Sequence, residues 1–370
     1  MPDELKNDAL SGLNPAQAEA VRHTDGPILI AAGAGSGKTK VLTHRVAHLI
    51  ACGARPESIL AVTFTNKAAN EMRERVFKLL NIEAGSSAGN SPWIGTFHAL
   101  GAWILRREHK TAGIGKNFSI LDEEDSLSLV KEATKELGAD PKQFQPSRIK
   151  KIISRKKGDL ISADDFSADA KDGFSRTTAS IWKAYEEKLR SSDSLDFDDL
   201  LVKTANLLAN NPEILSKYQN LWRYINIDEY QDTDHVQYQM ANMLASSHSN
   251  ICAVGDIDQS IYSFRGADFR NILNFEASWP KAKIVTLEEN YRSSKPILDA
   301  ANAVISKNEL RRPKNLFTKK DGGEKLAIYA AENENDEADF IAVKASGLIK
   351  NGAEPGQIAV LFRTNAQSRV

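Results

Sequence analysis

The chain is poor in cysteine and has no long apolar run. Cys52 and Cys252 are the two cysteines in 370 residues, far apart and without a C-x-x-C partner. That excludes an iron–sulfur cluster or a disulfide scaffold and leaves the expectation of two buried free thiols. No stretch approaches the ~20 consecutive apolar residues of a membrane span. Met1 to Asn14 is polar and mildly acidic, without the apolar segment of a secretory signal. A cytoplasmic protein with no membrane association is expected. Nor is there an excess of positive charge: 48 Lys and Arg against 49 Asp and Glu give a net charge of −1. Bulk electrostatics therefore cannot hold a nucleic acid, and any such contact must be local. The 41% hydrophobic and 26% charged residues that remain are ordinary for a globular protein, and the length allows two domains.

One region departs from this balance. From Lys142 to Lys157 there are seven basic residues (Lys142, Arg148, Lys150, Lys151, Arg155, Lys156 and Lys157) and no acidic one. Such a concentration suits either a phosphate backbone or a solvated helix face, and charge alone does not separate the two.

The most specific pattern is Ala32-Gly33-Ala34-Gly35-Ser36-Gly37-Lys38-Thr39. It follows the apolar run Pro27 to Ala31 and precedes a helix-like stretch, the strand, loop and helix context of a phosphate-binding loop. Ala32 stands where the motif has its first glycine. The glycines let backbone N–H groups converge on phosphate oxygens, Lys38 supplies a cation to the β and γ phosphates, and Thr39 offers a hydroxyl to Mg²⁺. The helix opening at Lys38 adds its partial positive charge. A nucleoside triphosphate is the expected ligand.

Short β-branched runs alternate with helical patterns. Residues 28–31, 59–65, 93–97, 224–227, 251–254 and 284–287 read as strands buried on both faces, which means an α/β fold with a mostly parallel sheet. Between Thr111 and Ser192 the rhythm stops in favour of charged helical patterns broken by Gly and Pro, an inserted helical subdomain. After residue 290 a new unit is expected: a helix from Pro296 to about Ser306, strands at 326–330 and 358–363, and a charged helix between them, with Arg311 to Lys320 and Asp321-Gly322-Gly323 as loops. Two strands make a poor independent core, so the second unit reads as incomplete. The expected division is 1–110 with 193–290, 111–192, and 291–370.

Tyr224 to Ile227 runs into Asp228 and Glu229, delivering two carboxylates to the edge where the phosphate loop lies. Asp228 is the expected Mg²⁺ partner and Glu229 the candidate general base, although such a pair alone would more often be a plain turn. The run Ala253 to Asp256 is followed by Gln259, an amide placed to sense a γ-phosphate or orient water. Tyr262, Phe264 and Arg265 then interleave aromatic rings with a cation, the composition of a base-stacking platform; core packing of one ring is the alternative. His44 and His48 lie four apart on one helix but have no evident third ligand, so they read as structural.

Taken together, these segments resemble the UvrD/Rep/PcrA group of superfamily 1 DNA helicases over essentially the whole chain. Leu13 to Gln17 is similar to the family's adenine-recognising glutamine motif, with Gln17 offering a donor and an acceptor to the base. Ala61 to Ala69, with Phe64, Thr65 and Asn66, and Gly95 to Ala99, with His98, resemble DNA-contacting motifs. Ser194 to Leu200 is a further family segment whose acids could simply cap a helix. Asp228 to Asp232 and Val254 to Asp268 resemble two more motifs. Glu289 to Ser294 resembles the motif whose tyrosine, here Tyr291, stacks on adenine and whose arginine, here Arg292, reaches the γ-phosphate. Phe264 stands where tryptophan is frequent and Tyr230 where phenylalanine is usual.

The resemblance implies a RecA-like ATP-binding domain, the start of a second, and an ATP- and Mg²⁺-dependent motor on single-stranded DNA and single-strand/duplex junctions. It further implies movement 3′ to 5′, a role in repair or replication, and a monomer or weak self-association. The family's last motifs are not in this sequence, so weak binding, slow hydrolysis and no unwinding are expected of the chain alone. Two other readings stay open: the motor part of a helicase-nuclease, and a nucleotide-gated DNA-binding fragment.

Overall fold

The computed structural model describes residues 9–81 and 91–369, the side chain of Arg265 excepted; most of the Met1 to Asn14 stretch lies outside them. By compactness the chain divides into residues 1–321 and 322–370. Residues 291–321 thus group with the first unit by compactness.

The first unit is built on a six-stranded sheet of β1 (Ile28–Ala32), β2 (Ile59–Thr63), β3 (Trp93–Thr96), β6 (Tyr224–Ile227), β7 (Ile251–Gly255) and β8 (Lys283–Leu287). The spatial order is β3-β2-β6-β7-β1-β8, every pair parallel. A parallel sheet needs helices on both faces, and its inner strands are then apolar throughout; β1, β2 and β7 are buried at every position. Alternate residues serve opposite layers. Leu29, Leu60, Ile225 and Ala253 pack beneath the helices Phe97–Arg107 (α4), Phe197–Asn210 (α9) and His235–Ala245 (α11). Ile28, Ile30, Ala61 and Val254 pack beneath Pro15–Arg22 (α1), Lys38–Ala51 (α2) and Asn66–Leu79 (α3). Since the strands are parallel, all their carboxyl ends lie along one edge, where open α/β sheets bind ligands.

The inserted segment is helical: Glu123–Glu136 (α5), Pro146–Gly158 (α6), Ala163–Ala168 (α7) and Gly173–Ser191 (α8). It has its own core around Trp182, Tyr185, Ile149 and Ile153. The two-residue strands β4 (Ser119–Ile120) and β5 (Ser194–Leu195) pair in parallel where the chain leaves and returns.

The basic stretch divides its labour. Lys150 and Lys157 turn inward: Lys157 Nζ lies 3.1 Å from Asp196 and 2.8 Å from Asp199, and Lys150 Nζ lies 3.2 Å from Asp196 and 2.9 Å from Asp198. Tyr185 donates to Asp196 at 2.7 Å. Asp196 also caps α9 through a reciprocal capping box with Asp199. Burial alone would raise the Asp196 carboxyl, but the ammonium groups of Lys157 and Lys150 outweigh it and hold it well below the usual range. This ionic knot fastens the inserted helices to α9, so two of the seven cations are structural.

Cys252 is buried, as expected, but Cys52 is exposed: it follows the last turn of α2, where the chain leaves the helix at the surface. Among the described residues no helix is long and apolar enough to cross a membrane. In the second unit the charged helix forms at Glu334–Lys350 (the α-helix after Lys295–Ile305). The strands expected at 326–330 and 358–363 do not form. A strand needs a hydrogen-bonding neighbour, and these segments have none among the described residues; Ile328 and Leu361 stand 98% and 94% exposed.

Candidate functional site

At the end of β1 the backbone continues the ladder for one residue, Gly33 N–H donating to Leu287 O at 3.0 Å, then turns. Ser36 folds back with both its N–H and its hydroxyl on Gly33 O, at 3.3 and 2.8 Å. Gly35 and Gly37 take φ of +65° and +86°, a region that side chains other than glycine's enter at a cost. Helix α2 opens at Lys38 with Gly37 as its N-cap and no side-chain cap, so its first N–H groups face the loop.

The strand-end carboxylates meet this loop. Lys38 Nζ lies 3.0 Å from Glu229 Oε2, and the Thr39 hydroxyl lies 3.3 Å from Asp228 Oδ2. Apart from that ion contact, Lys38 Nζ is buried without a hydrogen-bond partner among the described residues, an uncommitted donor that an anion would satisfy. Asp228 is buried, and burial first, then the neighbouring Glu229 carboxylate, push it up to about 6 against the pull of Lys38. A cation would stabilise its charged form. Glu229 sits at φ +50°, ψ +46°, a left-handed conformation that costs a non-glycine residue about 1–3 kcal/mol and is found where a site demands it. Among the described residues no group of three or more His, Cys, Asp or Glu could hold a metal ion. The Thr39 hydroxyl and Asp228 carboxylate are nonetheless hard oxygen donors of the kind that hold Mg²⁺ shared with phosphates.

Gln17 reaches the loop from α1, its amide donating to Ser36 O at 2.8 Å while its carbonyl accepts from Asn14 N–H at 3.1 Å. Both ends of the side chain are engaged inside the protein, and each retains one further hydrogen-bonding capacity. Tyr291 and Arg292 come to the other side. Tyr291 N–H donates to Gly35 O at 2.9 Å, and its hydroxyl accepts from Asn14 at 2.9 Å. Asn290 donates to Ala34 O at 2.6 Å and accepts from the Arg292 N–H at 2.8 Å. Asn290 thus braces the loop directly, and Asn14 holds Gln17 and Tyr291, which contact it; sequence reasoning assigned neither role, though the Asn14-x-x-Gln17 spacing is a capping-box signature that could have shown that of Asn14.

Gln259 follows β7, and its amide donates to Asp256 Oδ2. Gln231 joins the two carboxyl-end clusters: its amide donates to Glu229 Oε2 and Asp232 Oδ2, both at 2.9 Å, while its carbonyl accepts the Asp256 N–H at 2.9 Å. Gln231 was also missed, since a glutamine in a turn carries no signal without its partners.

Farther along the same edge, Phe64 after β2 and Tyr262 after β7 face each other with ring centroids 4.8 Å apart, and Phe264 follows 6.0 Å from Tyr262. Neither Tyr262 nor Phe264 is in the core; Phe264 is 75% exposed. The Thr65 hydroxyl caps α3 by accepting from Ala68 N–H at 3.1 Å, with Asn66 as the first helical residue. His98, half-buried in the first turn of α4, meets Phe197 edge-on at 5.7 Å, and burial lowers its pKa. Of the paired histidines, the His44 ring bonds Ala9 O at 2.8 Å and serves packing.

A glycine loop at the end of one parallel strand, facing carboxylates at the end of another, defines a P-loop nucleotide-binding α/β protein. Residues 13–280 match the UvrD/REP helicase N-terminal domain, and 285–370 match the UvrD-like helicase C-terminal domain. The chain belongs to the UvrD/REP helicase family. It is 49% identical over 368 residues to the ATP-dependent DNA helicase PcrA of Bacillus subtilis, covering 99% of this chain and 49% of that protein. The proteins of the same name from Staphylococcus epidermidis and Staphylococcus aureus are 46% identical over 365 residues, 98% of this chain and 49% of each. The chain spans about half the length of the curated relatives it matches.

Proposed function

We propose that this chain carries the ATP-hydrolysing site and part of the single-strand track of a DNA helicase that moves 3′ to 5′ in repair or replication. The observation that carries the reading is the pairing of Lys38 with Glu229 and of Thr39 with Asp228 across two strand ends. In this account the loop N–H groups and Lys38 bind the β and γ phosphates, and Thr39 and Asp228 hold Mg²⁺, which neutralises charge developing on the phosphates. Glu229 accepts a proton from the attacking water, Gln259 senses the γ-phosphate, and Arg292 approaches it from beside Gly35. Gln17 and Tyr291 take the adenine.

The DNA track is the row Phe64, Tyr262 and Phe264, with Asn66 and His98 along the same sheet edge and Arg265 between the rings and the following loop in sequence. Stacking on rings tolerates any base sequence, which suits a translocating enzyme. Residues 1–110 with 193–290 form the first RecA-like domain in this reading, 111–192 an insertion, and 291–370 the start of a second. The protein acts in the cytoplasm as a monomer or weakly self-associating species, on single strands and their junctions with duplex.

For the 370-residue chain alone we expect weak MgATP and DNA binding, slow hydrolysis and no unwinding, since the described part of the second unit offers no sheet to close over the nucleotide. ATP hydrolysis with and without a single-stranded oligonucleotide, and strand displacement on a 3′-tailed duplex, test this. Hydrolysis with unwinding by the chain alone would contradict the closure requirement. No nucleotide binding at all would contradict the site.

A further inference from the structure

Residues 311–317 form a strap across the carboxyl edge of the sheet. Sequence reading treats them as a basic loop, yet they are tied at three points. Lys314 Nζ lies 2.5 Å from both Asp256 Oδ1 and Asp258 Oδ2, and Arg311 lies 2.9 Å from the same Asp258 oxygen. Leu316 covers the phosphate loop so closely that a Cβ on Gly33 would stand 2.0 Å from its Cδ2. Phe317 pairs with the segment before Tyr291, accepting from Asn290 N–H at 2.7 Å and donating to Glu288 O at 3.1 Å.

The strap therefore touches the phosphate loop, the Gln259 turn and the Glu288–Asn290 segment that leads into Tyr291 and Arg292. The Asp256 carboxylate is divided among three donors. Lys314 and the Asp258 N–H share Oδ1, the latter at 3.1 Å, and Oδ2 accepts the Gln259 amide. Lys314 is only 5% exposed and Asp256 2%, so water does not screen their attraction. A carboxylate fixed at one oxygen can present the other in only one direction.

The geometry points to Lys314 as a positioning residue for γ-phosphate recognition: by locking Asp256 it sets where the Gln259 amide rests at the strand edge beside the phosphate loop. The inference rests on the reading of Gln259 as the γ-phosphate sensor. Gln231 anchors the Asp256 backbone and Glu229 together, so the same lock reaches the candidate base through hydrogen bonds. Without Lys314 the Asp258 N–H is the remaining hold on Asp256 Oδ1, so the carboxylate is held less tightly and the amide's rest position loosens. Binding of a diphosphate, which makes no demand on Gln259, is left unaffected.

The test is the ratio of ADP to ATPγS dissociation constants, measured by calorimetry on the 370-residue chain and its variants. Lys314→Met should cut the preference for ATPγS by about tenfold while ADP affinity stays near wild type. Gln259→Ala should do the same, and the double variant should be no worse than either single one. A merely structural role for Lys314 would weaken both nucleotides together and overturn the inference. Because Lys314→Met leaves the Asp256 and Asp258 carboxylates with Arg311 as their one remaining cation on the strap, Lys314→Met with Asp258→Asn restores the charge balance and should show the same loss. Wild-type discrimination in either folded Lys314 variant, alongside a defective Gln259→Ala, overturns the role of Lys314 alone. Wild-type discrimination in Gln259→Ala removes the sensor reading and this inference with it.

Discussion

The Lys38 ammonium lies 3.0 Å from the Glu229 carboxylate, so the cation proposed to meet a phosphate is held by the group proposed to activate water. Arrival of a γ-phosphate would draw Lys38 away and free the carboxylate in the same step. Hydrolysis and binding should then separate by substitution. Lys38→Ala is expected to weaken MgATP binding and abolish turnover with the fold intact. Unchanged ATP affinity by calorimetry in the folded variant would contradict the assignment.

Tyr262→Ala and Phe264→Ala should each cost about 1–3 kcal/mol of single-strand binding, independent of base sequence. Fluorescence anisotropy with labelled oligonucleotides reads the loss. Phe264 has the clearer expectation because it is 75% exposed and its removal leaves the core untouched. Undiminished affinity in both variants would return the rings to a packing role.

The knot between the inserted helices and α9 makes a stability prediction. Lys157→Met leaves Asp196 and Asp199 buried without their shared cation, and breaking such a pair costs about 3–5 kcal/mol. Lys151→Met, on the exposed face of the same helix, should change stability by no more than about 0.5 kcal/mol. Urea unfolding of the two variants distinguishes the structural lysine from the solvated one, and equal midpoints would show that the knot contributes nothing.

Asp234 caps α11 and is pushed up to about 6 from 3.8, burial being the largest cause. The folded state thus holds a proton that the unfolded chain has lost, and this group's contribution to stability falls as pH rises from 3.8 through about 6. Asp234→Asn keeps a capping side chain without the charge. Its stability advantage over the parent should grow by about 1 kcal/mol between about pH 5 and about pH 7.5. A pH-independent difference would mean that Asp234 titrates normally.

Much of this was legible in the sequence for a physical reason. Strands β1, β2 and β7 carry consecutive apolar residues because both faces are covered, and the glycines and Lys38 follow β1 within a few residues, so local pattern suffices. The UvrD-type resemblance rests on such local segments and agrees with the family match. What escaped is non-local. Lys150 and Lys157 look like their neighbours until Asp196 and Asp199 are folded against them. Lys314 is one cation in a basic stretch until Asp256 closes on it. Asn290 reaches Ala34 and Gln231 reaches Asp256, partners distant in sequence that no local pattern identifies; for Asn14 the local capping box with Gln17 is legible but its contacts to Glu289 and Tyr291 are not. The strands expected at 326–330 and 358–363 have the right residues, and what they lack among the described residues is a neighbour to pair with.

The most direct measurement is paired ATP binding and single-turnover hydrolysis in the parent chain and in Glu229→Gln. The amide keeps the shape of the side chain and can still contact water but cannot take its proton. The account predicts retained MgATP binding with hydrolysis reduced about 10²–10⁴-fold. Hydrolysis near the parent rate in folded Glu229→Gln would show that Glu229 is not the base and that the strand-end carboxylate pair does not carry the reaction.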